Sequence, residues 1–117
     1  MLYWDVNVLD AFPQYLAEEM FDTGVNLGPQ TAAVFLQMAL NALNRNGVVY
    51  PDLVEDGKIA TKTLDALRVV LGKGEETLVL KMLNVLQGAY YIERMRENTT
   101  QEKYARGWFD RVSFVKE

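Results

Sequence analysis

A helix end and the start of the next helix are encoded together in nine residues, Phe21-Asp22-Thr23-Gly24-Val25-Asn26-Leu27-Gly28-Pro29. Gly28 can adopt the positive φ that ends a helix, and Pro29 suits the first position of a following helix because its fixed φ is already helical. Apolar residues recur at helical spacing on both sides of this break. The sequence therefore predicts a first helix over 13–27 and a second, largely buried helix over 29–46.

The chain beyond the second helix continues the helical pattern after one interruption. Residues 47–60 have strand character around Pro51-Asp52, and we expect either a small β-ribbon or an irregular loop there. Thr61 is the expected N-cap of a short helix over 61–72, and a long core helix, apolar nearly all round, is expected over 75–98. These segments predict an all-α fold that is interrupted once, by the β-ribbon or loop at residues 47–60.

The two ends of the chain complete this organisation. Residues 1–12 mix aromatic and polar side chains, and we expect an entry segment that folds onto the body. Thr99 begins a Thr-Thr-Gln-Glu capping box, which predicts a last helix with Tyr104 and Trp108 on one stripe. Residues 13–117 are therefore expected to form one helical domain.

The composition excludes several classes of function. The 117 residues carry 12 basic and 16 acidic side chains, which give a net charge of −4. This charge would not attract nucleic acid or an anionic membrane. The chain contains no histidine and no cysteine, so imidazole or thiolate metal sites and Ser-His-Asp or Cys-His catalysis are excluded for this chain alone. We expect no cofactor, no metal, no nucleic-acid partner and no membrane span.

Carboxylates are the main remaining candidates for acid–base chemistry. Glu18 and Asp22 lie four residues apart on the first predicted helix, and a glycosidase needs two carboxyl groups about 5 to 9 Å apart, one of them with a raised pKa. A solvated acidic helix face explains the same residues without a site, and it is favoured because charge clusters on helices usually face water. No catalytic residue is therefore assigned.

Four side chains are candidates for contacts with a sugar, which needs planar amides and carboxylates beside aromatic faces. Asp22 and Asn26 share one face near the end of the first helix, where they could instead tie that helix to a neighbouring loop. Trp4 and Tyr50 lie in irregular segments and are the aromatic candidates. Tyr90, at helical spacing, is expected in the core.

Three motifs resemble the C-terminal region of the bacterial and phage N-acetylmuramidases of glycoside hydrolase family 108, also called secretion activator proteins. Residues 21–29 resemble the family's Phe-Asp-x-x-Val-Asn-x-Gly-Pro, residues 56–64 resemble its Asp-Gly-x-x-Gly-x-x-Thr-Leu with Ala60 replacing the second glycine, and residues 104–112 resemble its closing Gly-Trp-x-x-Arg-Val helix. The motif residues with expected structural roles are Gly24, Gly28, Pro29, Asp56, Gly57, Thr63, Trp108 and Arg111.

The resemblance implies a lysozyme-like helical lobe of about five helices that binds peptidoglycan glycan chains, with Asp22, Asn26, Tyr50 and Trp4 as the glycan-binding candidates. In complete family members a catalytic glutamate lies in an N-terminal region, within a motif of the His-Glu-Gly-Gly type that this chain lacks. We therefore expect this lobe to hold glycan while that N-terminal region, as a partner, cleaves it. The chain shows no signal peptide, so we expect it in the bacterial cytoplasm before release and at the cell wall or periplasm afterwards.

Two alternatives belong to other functional classes. The first is a helical protein-interaction or assembly module, whose apolar entry segment docks a partner without glycan binding. The second is a self-sufficient glycosidase that uses Glu18 and Asp22. Retention by insoluble peptidoglycan, self-association and lytic activity of the purified chain distinguish these alternatives.

Overall fold

The computed structural model describes residues 12–44 and 50–109. Its elements are α1 (Gln14–Leu27), α2 (Pro29–Ala42), α3 (Thr61–Gly72), α4 (Glu76–Glu97), a 3₁₀ helix (Thr99–Tyr104) and α5 (Ala105–Phe109). No strand occurs within these two ranges, and the all-α prediction is confirmed. None of the described helices is both long and apolar enough to cross a bilayer.

The break between the first two helices lies where the sequence predicts it. Gly28 has a φ of 101°, its N–H donates to the Gly24 carbonyl at 2.9 Å, and its own carbonyl accepts from the Ala32 N–H at 3.1 Å. Pro29 occupies the first turn of α2. One residue thus closes α1 and opens α2, and the two helices pack against each other.

α2 lies at the centre of the core, because it packs against α1, α3 and α4. Its small residues Ala32, Ala33 and Ala39 are buried, as a closely approached helix requires. The larger members of the core come from every neighbouring segment: Phe12, Leu16, Met20, Phe35, Leu36, Leu40, Leu53, Leu67, Val70, Val79 and Leu83. Burial of each large apolar side chain stabilises the fold by about 1.5–3 kcal/mol relative to exposure.

α2 ends at Ala42, short of the predicted end at Asn46. The Asn44 side chain bonds to the backbone N–H and C=O of Tyr50, which draws the chain out of the helix at this point. The prediction of a helix through Asn46 is therefore wrong, because a side-chain bond to a later segment competes with the helical pattern. Residues 45–49 lie outside the described residues.

The predicted helix over 61–72 is confirmed, but two predicted N-caps are wrong by one residue. Ala60, not Thr61, is the N-cap of α3, and no side chain caps this helix. Asn98, not Thr99, precedes the 3₁₀ helix, and its Oδ1 accepts from the Thr100 N–H at 3.1 Å and from the Thr100 hydroxyl at 2.6 Å. Both N-caps have the extended backbone that the position requires. Ala60 adopts it without a side-chain cap, whereas Asn98 is a preferred N-cap residue that bonds through its Oδ1.

α4 is the longest helix, and it is buried on one face only. Leu83 enters the core, whereas Val85 and Ile92 are exposed, so the prediction of a helix buried all round is wrong. Tyr90 is half-buried and packs against the core, with its ring 6.3 Å from that of Phe35 in an edge arrangement. The apolar pattern of α4 indicated a helix, but the packing of its neighbours determined how much of it is covered.

Candidate functional site

Residues 50–60 form an irregular loop, which favours the loop over the β-ribbon for the described part of this interruption. Hydrogen bonds from three amide side chains hold the backbone of this loop. Gln37 and Asn41 share one face of α2, and Asn44 follows just beyond the end of the helix. Each amide accepts from a backbone N–H and donates to a backbone C=O, as a neighbouring strand would.

Gln37 makes the most extensive of these contacts, although its side chain is only 1% exposed. Its Oε1 accepts from the Gly57 N–H at 2.9 Å, and its Nε2 donates to the Lys58 carbonyl at 3.0 Å. The same Nε2 lies 3.2 Å from Asp56 Oδ1 and 3.2 Å from Thr63 Oγ1. One buried amide therefore connects α2, the loop and the first turn of α3.

Asn41 and Asn44 hold the first half of the loop. Asn41 donates to the Leu53 carbonyl at 2.9 Å and accepts from its N–H at 2.8 Å, while the Leu53 side chain enters the core. Asn44 bonds to the backbone N–H and C=O of Tyr50 at 2.8 and 2.6 Å, and donates to Asp52 Oδ1 at 2.8 Å. The loop is thus held in one conformation without a strand partner.

The second half of the loop turns at Asp56-Gly57. Asp56 Oδ1 accepts from the Lys58 N–H at 2.9 Å, and Gln30 Nε2 donates to the Asp56 carbonyl at 3.3 Å. Gly57 has a φ of 76°, and a Cβ there would lie 2.4 Å from Gln30 Cγ and 3.0 Å from its carbonyl oxygen. Ala60, by contrast, has a φ of −129°, so the position where the resembling motif has glycine needs none here.

A groove of about 450 Å³ lies beside this loop and the first turn of α3. Its volume falls within the range of about 300–1,000 Å³ that is typical of ligand pockets. Both apolar and polar side chains line it, so it offers packing surface as well as hydrogen-bonding groups. The lining residues are Gln37, Asp52, Leu53, Val54, Asp56, Lys58, Ala60, Thr61, Lys62 and Thr63.

The surroundings of two groups in the loop change their pKa values. The Lys58 N–H, followed by the Gln37 amide, lowers the pKa of the Asp56 carboxyl. Burial raises the pKa of the Tyr50 phenol, and the nearby carboxylates of Glu75 and Asp52 add to the effect. Asp56 is therefore ionised at neutral pH as part of the turn that it forms.

The substitution Asp56→Asn removes this charge but keeps an oxygen that can accept the Lys58 N–H. Because the folded-state pKa lies below the ordinary value of 3.8, the carboxylate stabilises the fold above that value, and the stabilisation is lost as the pH falls through the folded-state pKa. We expect the variant to melt at a lower temperature than the wild type at about pH 7, and the difference to shrink as the pH falls below 3.8. Circular dichroism melts at several pH values measure the difference in melting temperature between the two proteins. A difference that does not change with pH would contradict the stabilising role of the Asp56 charge.

Among the predicted sugar contacts, Asp22 and Asn26 are exposed near the end of α1. Asn26 Nδ2 donates to the Asp22 carbonyl at 2.9 Å, a bond within α1 rather than a tie to a described loop. Tyr50 is half-buried against the core and its hydroxyl donates to the Leu40 carbonyl. Neither Asp22, Asn26 nor Tyr50 lines the groove, and Trp4 lies outside the described residues.

The predicted structural residues have mostly local roles. Gly24 is buried, and Thr63 is buried but accepts from Gln37 instead of capping α3. Trp108 belongs to α5, whereas its side chain and all of Arg111 lie outside the described residues. The third motif is therefore described only in its helical backbone.

The carboxylates of α1 do not line the groove. Glu18 is exposed and its Oε2 accepts from Gln14 at 3.1 Å. Burial raises the pKa of Glu19, which accepts from the Thr23 hydroxyl at 3.3 Å, and the charge of Asp22 raises that pKa further. No described group of three or more acidic side chains is placed to hold a metal ion.

The three amides that hold the loop were not predicted from the sequence. No structural or binding role was predicted for Gln37, Asn41 or Asn44. The available signal was the spacing of four and three between these three amides, which places them on one face of the predicted helix. A polar row on a buried helix indicates bonds to another segment, because buried polar groups need partners.

A comparison with protein families identifies the domain. A family model described as "Predicted Peptidoglycan domain" matches residues 26–113, which include α2, the loop, the groove and α4. No curated protein matches the chain. The match covers well over half of the sequence, and the chain therefore belongs to the predicted peptidoglycan domain family.

Proposed function

We propose that the chain is the peptidoglycan-binding C-terminal lobe of a lysozyme-like muramidase, and that the groove beside residues 50–60 holds the cell-wall polymer. The family match over residues 26–113 is the observation that carries the proposal, because it spans all of the residues that line the groove. The resemblance of the three motifs to the muramidases of glycoside hydrolase family 108 supports the finer assignment.

The construction of the groove suits binding. The amides of Gln37, Asn41 and Asn44 already hold the loop that forms one wall of the groove. Little conformational entropy of this loop is therefore lost when a ligand binds. The exposed Val54 side chain and Ala60 provide apolar contact, while Thr61 and the carboxylates provide hydrogen-bonding groups. A few placed polar groups on an apolar surface are the usual composition of a ligand pocket.

Bond cleavage is assigned to the N-terminal region that the muramidase resemblance implies. A glycosidase needs an acid with a raised pKa and a second carboxyl across the scissile bond. Glu19 has a raised pKa, but its carboxyl is engaged with Thr23 of its own helix and does not line the groove. We therefore expect the purified chain to bind insoluble peptidoglycan and to release no reducing sugar from it.

Retention on purified cell-wall sacculi tests the groove with a pair of matched variants. Ala60→Trp fills the groove at an exposed position of ordinary φ, so it should not disturb the core. Ala89→Trp makes the same change at an exposed position of α4 that does not line the groove. We expect Ala60→Trp to weaken retention about tenfold and Ala89→Trp to leave it unchanged, since filling a pocket removes its contacts.

The outcomes of this assay separate the proposals. Equal retention of both variants would place the polymer elsewhere, and loss on Asn26→Ala would then favour the predicted contacts of Asp22, Asn26, Tyr50 and Trp4. Absence of retention with dimers in sedimentation would favour the protein-interaction module instead. Release of reducing sugar by the purified chain would contradict the assignment of cleavage to another region.

A further inference from the structure

Two lysines of the groove form no ion pair with a described residue. Lys58 and Lys62 both line the groove, and neither forms an ion pair with a described carboxylate. Opposite charges do pair elsewhere, because Arg68 and Asp65 on α3 form an ion pair at 3.0 Å. The two ammonium groups are therefore available to a ligand.

The carboxylates of the same groove are bound to uncharged donors. Asp52 Oδ1 accepts from the Asn44 amide at 2.8 Å, and Asp56 Oδ1 accepts from the Lys58 N–H and lies within hydrogen-bond distance of the Gln37 amide. These bonds keep the carboxylates in place, and neither carboxylate forms an ion pair with a described lysine, although the Lys58 charge helps to lower the pKa of Asp56. One groove thus presents two positive and two negative side chains that form no ion pair with each other.

The backbone beneath both lysines is held in place. The Lys58 N–H donates to Asp56 Oδ1 and its carbonyl accepts from Gln37, while Lys62 lies in the first turn of α3. Fixed attachment points reduce the entropy lost when a charged side chain binds. This arrangement distinguishes the pair from lysines on a free surface loop.

Peptidoglycan offers ligands of two kinds. Its sugars are largely neutral and offer hydroxyl and amide groups, whereas its stem peptides carry free carboxylates and, where a diamino acid has a free amine, an ammonium group. A groove with unpaired charges of both signs complements the second kind. A chain with a net charge of −4 would otherwise repel carboxylates, so local ammonium groups are needed to bind them.

We infer that the groove binds the stem peptide of peptidoglycan rather than its sugars, with Lys58 and Lys62 binding peptide carboxylates and Asp52 and Asp56 facing the peptide's ammonium group. The inference rests on the proposed function and names the part of the polymer that this groove recognises. The sugar strand then lies outside the groove. Specificity for the stem comes from the charges, and the apolar wall contributes contact area.

Calorimetry with soluble muropeptides tests this inference. The probes are a disaccharide that carries its tetrapeptide stem and the same disaccharide from which an amidase has removed the stem, with the lactyl carboxylate that this cleavage exposes capped as a neutral amide. We expect the first to bind, and the double variant Lys58→Gln/Lys62→Gln to weaken its binding about tenfold, since charge-assisted bonds to carboxylates are lost. The matched control is Lys73→Gln/Lys81→Gln, which makes the same charge change at exposed positions outside the groove.

Salt dependence provides a second readout. Wild-type affinity for the stem-bearing probe should fall as salt rises from about 50 to about 500 mM, and the Lys58→Gln/Lys62→Gln variant should respond less, because screening weakens exposed charge pairs. Circular dichroism melts of both double variants check that each is folded.

The possible failures are distinguishable. Equal binding of the stripped disaccharide would overturn the inference and leave the proposed function standing, whereas no retention on whole sacculi would overturn both. Retention that disappears when sacculi are stripped of wall phosphate polymers would also overturn the inference, because phosphate would then be the anion bound. Retention that survives that treatment but is lost after amidase digestion supports the stem peptide.

Discussion

Replacing Gly57 with alanine is expected to lower the free energy of unfolding by about 3 kcal/mol, measured by urea denaturation. Two independent costs add at this position. A residue with a Cβ at a φ of 76° costs about 1–2 kcal/mol. The new Cβ would also lie 3.0 Å from the Gln30 carbonyl oxygen, an atom of the α2 backbone that cannot move without disturbing the helix.

Gly74→Ala is the matched control for Gly57→Ala. Gly74 has a φ of 75°, nearly that of Gly57, but no atom lies within 4 Å of the position of its Cβ. It therefore carries the conformational cost alone, about 1 kcal/mol after the reduced entropy of the unfolded chain is included. Equal losses in the two variants would contradict a steric role for the contact between the loop and α2.

Gly57→Ala should also weaken binding if the groove holds peptidoglycan. The Gln30 side chain must move away from the new methyl group, which removes its hydrogen bond to the Asp56 carbonyl. The turn that carries Lys58 then shifts, while the core beneath remains. Sacculus retention is expected to fall with Gly57→Ala and to remain with Gly74→Ala, whose glycine does not line the groove.

The second large effect is expected at Gln37. The substitution Gln37→Met keeps the length and flexibility of the side chain but removes its amide, which leaves the Gly57 N–H and the Lys58 carbonyl without their partner. Unpaired buried polar groups cost about 1–3 kcal/mol each, partly recovered where water enters. We expect a loss of about 3 kcal/mol in the free energy of unfolding.

Gln30→Met is the matched control for Gln37→Met. Gln30 is exposed and makes one long hydrogen bond, at 3.3 Å, to the Asp56 carbonyl. Its substitution should change the free energy of unfolding by no more than about 0.5 kcal/mol. Hydrogen exchange of the Gly57 amide offers a local readout, because its protection depends on Gln37 Oε1. Similar stability losses in both variants, or unchanged exchange in Gln37→Met, would contradict the role of Gln37.

Gly57 and Gln37 make contacts between segments that are distant in the chain, whereas the features that the sequence predicted well are local. The end of α1 at Gly28 and the start of α2 at Pro29 were predicted because both depend on the φ preferences of one or two residues. The turn at Asp56-Gly57 was predicted for the same reason. Such features need no knowledge of distant segments.

The loop-holding site could not be predicted in the same way. Gln37 lies 19 to 26 residues from its partners Asp56 and Thr63, and no local pattern says which segment will meet the amide. The Asn44 side chain bonds to the Tyr50 backbone, and α2 ends before Asn44. The predicted helix through Asn46 was therefore too long. The sugar contacts expected at Asp22, Asn26, Tyr50 and Trp4 stay predictions.

The amino-acid sequence alone determined that this protein is helical and where its first helix ends, because apolar periodicity and the conformations of glycine and proline act over a few residues. Only the tertiary structure decided that two amides of α2 and one just beyond its end hold the 50–60 loop, and that Lys58 and Lys62 line one groove. Those contacts join segments distant in the chain, and they form only when burial of the core brings α2, the loop and α3 together.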